Sequence, residues 1–197
     1  SIPICEEYGD YDFLDFNCGC PVPKVIKQHS GSYWLNREDE LISLLRKMVT
    51  ISSKPVIVKI RIGYSSIMDI VPLCKRIEEA GVKAIAVHGR TRSEFFSSPV
   101  HYDVIKDIKK NVSIPVIANG EITQNNFQSV FDETDADAVM IGQHAIGYPK
   151  IFSDMIAIEE NRPVEETTIF SQLNDFRKHL DLIFSIKDER SAASIMR

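Results

Sequence analysis

The sequence has no long hydrophobic run, few cysteines and no excess of basic residues. No stretch of about 18 consecutive apolar residues occurs in the 197-residue chain, so no membrane-spanning helix is expected. Four cysteines in a chain of this length do not make a disulfide framework, and we expect reduced thiols in a cytoplasmic protein. The net charge is −5, so a nucleic-acid partner would need a local basic patch.

The composition is that of an ordinary globular protein, with 44% hydrophobic and 26% charged residues. The opening segment "SIPICEEYGD" has neither the basic nor the apolar part of a signal peptide. The chain starts without Met and stops inside the helix-like segment "ERSAASIMR". We therefore expect a fragment of a longer protein.

Short apolar runs alternate with helical patterns along the first three quarters of the chain. The runs are too continuously apolar for strands with one wet face, and they fit strands buried on both faces. They comprise residues 13–17, 55–62, 84–88, 115–119 and 138–141. Alternation of such strands with helices predicts a parallel sheet with right-handed crossovers.

Four helices are predicted between these runs. The first covers residues 36–51 with Asn36 as its N-cap, and the second covers 66–80 and ends at Gly81. The other two cover residues 102–110 and 124–133. No strand is expected after Pro149, and a helical region is predicted from about residue 164.

Polar and glycine residues end each predicted strand. Chemistry at the carboxyl ends of parallel strands is typical of both TIM barrels and doubly wound sheets. Five strands are too few for a closed barrel, whose full form needs about 250 residues. The pattern alone leaves two alternatives, an open sheet or the second part of a barrel.

The strand-end segments together resemble the tRNA-dihydrouridine synthase family. The resemblance runs from about Asp12 to Phe152, and any one segment would carry little weight without the others in this order. The segments are "DFNCGCPVPKV" at 15–25, "VKIRIG" at 58–63, "AVHGRTR" at 86–92, "PVIANGEIT" at 115–123 and "AVMIGQHAIGYP" at 138–149.

The resemblance implies an α/β fold of the (β/α)8 TIM-barrel type that binds FMN. Residues 1–160 would be a partial barrel with about strands four to eight, and residues 161–197 the start of an all-helical tRNA-binding domain. The implied reaction reduces the C5–C6 double bond of particular uridines in tRNA, with NADPH as the reductant of the flavin. The implied partners are tRNA and NADPH.

Cys18 and Cys20 raise the question of a metal, a disulfide or a reactive thiol. The Cys-x-Cys pair offers only two ligands and a very small disulfide loop, so neither a metal site nor a disulfide is expected. Cys18 suits a buried apolar role, whereas Cys20 matches the family's catalytic cysteine in Gly-Cys-Pro. An unperturbed cysteine is mostly thiol at pH 7, so it can give a proton to C5 after hydride reaches C6.

The resemblance also implies roles for other strand-end residues. Its cofactor-binding set is Asn17, Lys59, His88, Asn119, Gly120, Gly142 and Gln143. Its substrate-binding set is Asn17, Lys24, Arg90 and Arg92. Each residue type also has a structural alternative: a strand-ending Asn, a Lys–carboxylate pair, a structural His and solvated loop cations.

Two departures from the family pattern bear on the site. Gln143 stands where an arginine is usual after the last glycine, so the flavin phosphate would keep backbone donors but lose a charged partner. Tyr33 and Trp34 replace small residues, and they either stack on a base or pack against the protein.

Two rival functions remain open at this point. The first is another FMN-dependent barrel oxidoreductase that acts on a free pyrimidine. The second is a catalytically idle RNA-binding module. Flavin content, together with a comparison of activity on tRNA and on a free base, distinguishes these two rivals from a tRNA-dihydrouridine synthase.

Overall fold

The computed structural model describes residues 2–187, and its first feature is a five-stranded parallel sheet. The chain divides into two compact units, Ser1–Met155 and Ile156–Arg197. All five strands lie in the first unit. Within residues 2–187, none of the helices combines the length and the apolar composition needed to cross a membrane.

The strands follow one another across the sheet in their chain order. They are β1 (Leu14–Cys18), β2 (Val56–Arg61), β3 (Ala84–His88), β4 (Val116–Asn119) and β5 (Ala138–Met140). All four pairings are parallel, which confirms the predicted strands with ends shifted by at most one residue. A doubly wound sheet reverses its order at a switch point, and β1 to β5 contain no such reversal.

Eight α-helices and two 3-10 helices are present in the described part of the chain. The α-helices are α1 (Ile2–Tyr8), α2 (Pro23–Lys27), α3 (Glu38–Ile51), α4 (Val71–Glu79), α5 (Tyr102–Asn111), α6 (Phe127–Thr134), α7 (Ile151–Glu159) and α8 (Ile169–Ile186). The 3-10 helices are Gly31–Asn36 and Gln143–Ala145.

Burial is deepest at the centre of the sheet. Every residue of β3 is buried, whereas β5 is only half-buried and β1 alternates between half-buried and exposed residues up to the buried Cys18. Apolar side chains of the helices, such as Leu45 of α3, Ile77 of α4 and Ile105 of α5, are fully buried. The terminal strands β1 and β5 are therefore the edges of the described sheet.

Three predicted helix starts are wrong. The helix predicted from residue 124 begins at Phe127, because residues 124–126 form a turn. Asn36 is not the N-cap of α3, because residues 31–36 form a 3-10 turn that buries Leu35, and Arg37 takes the N-cap position. The helix predicted from residue 66 begins at Val71, and Pro72 lies in its first turn, where its missing N–H costs no intrahelical hydrogen bond. Gly81 ends α4 as predicted, with φ +94° and its N–H donated to Glu78 O at 2.9 Å.

The second unit contains the predicted helical region as α8. Its start is marked by Thr168, whose side chain accepts a hydrogen bond from Ser171 N at 3.1 Å. The Ser171 hydroxyl in turn accepts from Thr168 N. Apolar side chains of α8 such as Phe170 and Leu173 are exposed within the described residues.

Candidate functional site

The carboxyl ends of the strands surround a cavity of about 310 Å³. Asn17 is in register with Lys59, and His88 is in register with Arg61 and Asn119. Residues in register on parallel strands project from the same face of a sheet, so these five side chains share one face. The volume is at the lower end of the range for small-molecule sites.

Most of the predicted site residues meet in this cavity. Nine of them line it: Asn17, Cys20, Lys59, His88, Arg90, Asn119, Gly120, Gly142 and Gln143. Lys24 and Arg92 do not line it. Lys24 is exposed on α2, and the Arg92 guanidinium lies over the rings of Tyr64 and Phe95 at 5.2 and 5.8 Å.

The loop after β1 separates the two cysteines. Cys18 is fully buried, and burial raises the pKa of its thiol far above the ordinary value. It alternates with Asn17 along β1 and therefore projects from the opposite face of the sheet. Cys20 is half-buried and lines the cavity, and both residues are free thiols.

Asn17 uses its oxygen within this loop. Its Oδ1 accepts hydrogen bonds from Gly19 N at 3.0 Å and Cys20 N at 3.1 Å. Both partners are N–H donors, so the amide orientation is determined by its neighbours. The Nδ2 group of Asn17 is left as the end that can donate to a ligand in the cavity.

Lys59 is paired with a neutral amide. Its Nζ donates to Asn119 Oδ1 at 2.9 Å, while Asn119 Nδ2 donates to Met140 O at 2.8 Å. Burial and the nearby Arg61 charge lower the pKa of Lys59 to about 8, although Asp15 opposes the shift. No carboxylate lies within ion-pair distance of Lys59 in residues 2–187, so a Lys–carboxylate pair does not explain its position.

His88 is a neutral imidazole with a nitrogen that has no partner. Burial and the charges of Arg61 and Lys59 lower the pKa of His88 to about 3, so the ring is uncharged at neutral pH. Its Nε2 is buried and has no hydrogen-bond partner among the described residues. A buried nitrogen of this kind, at the wall of a cavity, is suited to a hydrogen bond with a ligand.

Arg90 is anchored at the back of the cavity rather than solvated. It is 1% exposed, its Nε donates to Ser98 O at 2.6 Å, and its Nη2 pairs with Glu121 Oε1 at 2.7 Å. Its Nη1 has no partner among the described residues. Arg90 thus lines the cavity with one guanidinium nitrogen that lacks a partner among the described residues.

Arg61 is a site residue that the sequence interpretation missed. Its Nε donates to Gly19 O at 3.0 Å, and its Nη1 donates to Thr91 O at 2.7 Å. The buried side chain therefore links the Cys20 loop to the loop after β3. The signal was present, because Arg61 lies two residues after Lys59 in one strand and must share its face.

The structure also places three aromatic side chains near the site or away from it. Phe96, which the sequence did not single out, lines the cavity with its ring centroid 6.2 Å from that of His88. Tyr33 packs between the His29 ring, at 4.7 Å, and the Arg37 guanidinium, at 5.8 Å. Trp34 does not line the cavity and packs edge-on against Tyr33.

Two glycines line the cavity near β4 and β5. Gly120 has φ +128°, and an added Cβ would lie 3.0 Å from Val100 Cγ1, so a side chain is not tolerated there. An added Cβ at Gly142 would meet no atom within 4 Å among the described residues. The backbone at Gly142 therefore borders open space in which a ligand group can lie.

A model of the family described as Dihydrouridine synthase (Dus) matches residues 4–197. The tRNA-dihydrouridine synthase B of Pasteurella multocida (strain Pm70) is 38% identical over 177 residues, covering 88% of this chain and 53% of the relative. The tRNA-dihydrouridine synthase B of Proteus vulgaris is 42% identical over 144 residues, covering 72% of this chain and 45% of the relative. The chain spans about half the length of these curated relatives.

Solved structures share the fold at low sequence identity. YagE, a prophage protein of the dihydrodipicolinic acid synthase family from E. coli K12, superposes with a TM-score of 0.57 and 13% identity. That similarity covers 82% of this chain and 53% of YagE. The BexX/CysO complex of Amycolatopsis orientalis gives a TM-score of 0.50 at 14% identity, covering 85% of this chain and 65% of that one.

Proposed function

This chain belongs to the dihydrouridine synthase family, and from that premise we propose that it is the cysteine-bearing part of a tRNA-dihydrouridine synthase. The proposed reaction reduces the C5–C6 double bond of particular uridines in tRNA, with FMN as cofactor and NADPH as reductant. One observation carries the proposal: Cys20 opens into the same cavity as Lys59, His88 and Asn119.

The residues of the cavity fit a flavin. Lys59 offers a cation, Asn17 an amide donor and His88 an unpartnered nitrogen, all on one face of the sheet. The open space beside Gly142 suits a phosphate tail, which backbone N–H groups near Asn119–Gly120 and Gly142–Gln143 would bind. A flavin reduced by NADPH would supply hydride to C6 of the uracil ring.

Lys59 would stabilise negative charge on the reduced ring system. With a pKa of about 8 it is still mostly protonated at pH 7, and Asn119 Oδ1 keeps its ammonium group in place. The neutral His88 ring adds a hydrogen bond without a second charge. The wall of the cavity thus combines the cations Lys59, Arg61 and Arg90 with the neutral donors Asn17 and His88.

Cys20 would give its proton to C5 of the uracil ring as general acid. It is the cysteine that reaches the cavity, whereas Cys18 projects from the other face of the sheet. The Cys20 N–H group is held by Asn17, so the loop is fixed before any substrate binds. Metal chemistry is not part of this proposal.

Charge balance near the proposed phosphate site differs from the family pattern. Gln143 lines the cavity and brings no charge, whereas Arg90, which also lines it, has an Nη1 group without a partner among the described residues. We propose that Arg90 contacts the substrate or the cofactor tail through this group. Lys24 and Arg92, which lie outside the cavity, would contact the tRNA backbone.

The domain assignment follows from the same premise. We propose that residues 1–160 are a partial TIM barrel with about strands four to eight, and that residues 161–197 begin an all-helical tRNA-binding domain. The unbroken strand order β1 to β5 and the fold similarity to YagE support the barrel.

The test uses the purified full-length protein with an unmodified tRNA transcript and NADPH. Flavin is read by absorbance and dihydrouridine by mass spectrometry of the digested RNA. Bound flavin with dihydrouridine in the product supports the proposal. Bound flavin and NADPH oxidation without product on tRNA, but with reduction of a free pyrimidine, favours the first rival. A protein with neither flavin nor product favours the idle RNA-binding module.

A further inference from the structure

Ser32 donates two hydrogen bonds to Cys20, the residue proposed as general acid. Its backbone N–H and its side-chain Oγ both donate to Cys20 O, each at 3.0 Å. A carbonyl oxygen has two acceptor lone pairs, so one residue fills both. Ser32 is 0% exposed, whereas Cys20 is half-buried and lines the cavity.

Gly31, the residue before Ser32, also packs closely against Cys20. It has φ +62°, and an added Cβ would lie 2.7 Å from Cys20 O and 2.8 Å from Cys20 Cβ. No other residue fits at these distances without moving the loop. The Gly31–Ser32 segment therefore lies directly against the backbone and the Cβ atom of Cys20.

The other end of the Cys20 peptide unit is fixed by different side chains. Cys20 N donates to Asn17 Oδ1 at 3.1 Å, and the preceding carbonyl, Gly19 O, accepts from Arg61 Nε at 3.0 Å. The polar backbone atoms on both sides of the Cys20 Cα thus have protein partners. A loop carbonyl beside a cavity can take its hydrogen bonds from water. Cys20 O takes them from a fully buried serine, which restricts the position of the loop.

We propose that Ser32 is a positioning residue that fixes the direction in which the Cys20 thiol projects into the cavity. The proposal rests on the proposed role of Cys20 as general acid. A proton donor must come within hydrogen-bond reach of its acceptor, and a displacement of about 1 Å can cost about a hundredfold in rate. Ser32 itself does not line the cavity.

The experiment compares Ser32→Ala with Ser30→Ala in the full-length protein. Ser30 is exposed and its hydroxyl donates to Gln28 O at 3.3 Å, so it is a matched serine two residues away from the contact. The readouts are reduction of bound flavin by NADPH, its reoxidation by tRNA, and the KM for tRNA. A fourth readout is the rate at which iodoacetamide alkylates Cys20, followed by peptide mass spectrometry.

For Ser32→Ala we expect reoxidation by tRNA to slow about tenfold, as for loss of one hydrogen bond that orients a reacting group. NADPH reduction, flavin content and the KM for tRNA should stay unchanged, and the alkylation rate of Cys20 should change about threefold or more. Ser30→Ala should match the wild type in all four readouts. If Ser32→Ala does not fold, the nearly isosteric Ser32→Cys replaces it.

Three results would overturn the proposal: equal behaviour of the two serine variants, an equal fall in both half-reactions, or loss of flavin in Ser32→Ala. A wild-type protein that makes no dihydrouridine would refute the proposed function instead. The alkylation rates of Cys20 in Ser32→Ala and in the wild type then decide. A changed rate would support Ser32 as a determinant of Cys20 geometry, and an unchanged rate would refute that role.

Discussion

Lys59 carries a charge into a half-buried position where its one observed partner is a neutral amide. Desolvation disfavours the charged form, and the folded-state pKa falls from the ordinary 10.5 to about 8. Below pH 8 both folded and unfolded chains hold the proton, so the unpaired charge lowers stability there. Between pH 8 and 10.5 the folded chain loses the proton first, and stability contributed by this residue rises with pH.

The first prediction is that Lys59→Met changes the pH dependence of stability. The free energy of unfolding of Lys59→Met minus that of the wild type should be about 2 kcal/mol larger at pH 7 than at about pH 10. Urea unfolding of flavin-free protein at the two pH values measures it. Lys110→Met, at an exposed lysine of α5, is the control. If the difference in free energy of unfolding between Lys59→Met and the wild type changes with pH as little as it does for the control, the account is refuted.

At the scale of elements, the loop after β3 is held together by Glu94. Its Oε2 accepts from Thr91 N at 2.6 Å and its Oε1 contacts His101 Nε2 at 2.9 Å. Partial burial raises the pKa of Glu94, but the hydrogen bonds from Thr91 and His101 outweigh it and bring the pKa to about 2. The loop also carries Phe96 and Arg90 into the cavity.

The second prediction is that Glu94→Gln destabilises the protein by about 1 kcal/mol at pH 7. The folded-state pKa of Glu94 lies below its ordinary 4.5, so its contribution is complete above pH 4.5 and is lost as the pH falls toward 2. Chemical unfolding of both proteins across this range measures the difference. Glu79→Gln, at an exposed site, should show no such pH-dependent gap, and a gap for Glu94→Gln that persists at low pH would contradict the assignment.

The strands were predictable because they are buried on both faces and bounded by polar or glycine residues. The run at β3, for example, matches Ala84–His88 without any shift. Helix starts were less predictable, since Asn36 has the chemistry of an N-cap but lies at the end of a 3-10 turn that the burial of Leu35 imposes.

Strand register alone lets the sequence bring several predicted site residues to one cavity. The sequence could place Lys59 inside one strand and His88 at the end of the next, but it could not reveal that Asn17 Oδ1 is used within the Cys20 loop. That bond, like the two from Ser32, depends on how loops close between residues far apart along the chain. No local pattern encodes such a closure, so it needs the three-dimensional structure.

At the scale of the whole molecule, the described sheet has two open edges. β1 pairs only with β2 and β5 only with β4 in residues 2–187, and both are more exposed than β3. Unpaired N–H and C=O groups along an edge strand are templates for pairing with another chain. Exposed apolar side chains at the edge, such as Phe13 at 53% exposure before β1, add to this tendency.

The third prediction is that the 197-residue chain, expressed alone, associates or is poorly stable. Sedimentation velocity at several concentrations should show species larger than a monomer. Phe13→Lys, which adds a charge beside the β1 edge, should lower the associated fraction, whereas Lys110→Met on α5 should not. A stable monomer that unfolds cooperatively would contradict the prediction.

The central claim is that Cys20, and not its neighbour Cys18, gives the proton to C5 of the uracil ring. The most direct measurement compares Cys20→Ala with Cys18→Ala in the full-length protein, on an unmodified tRNA transcript with NADPH. Cys20→Ala should lose dihydrouridine formation by about a hundredfold or more while NADPH still reduces its flavin. Cys18→Ala should keep its rate within a few fold, because its side chain is buried on the opposite face of the sheet. Equal rates in the two variants, or full product from Cys20→Ala, would contradict the account.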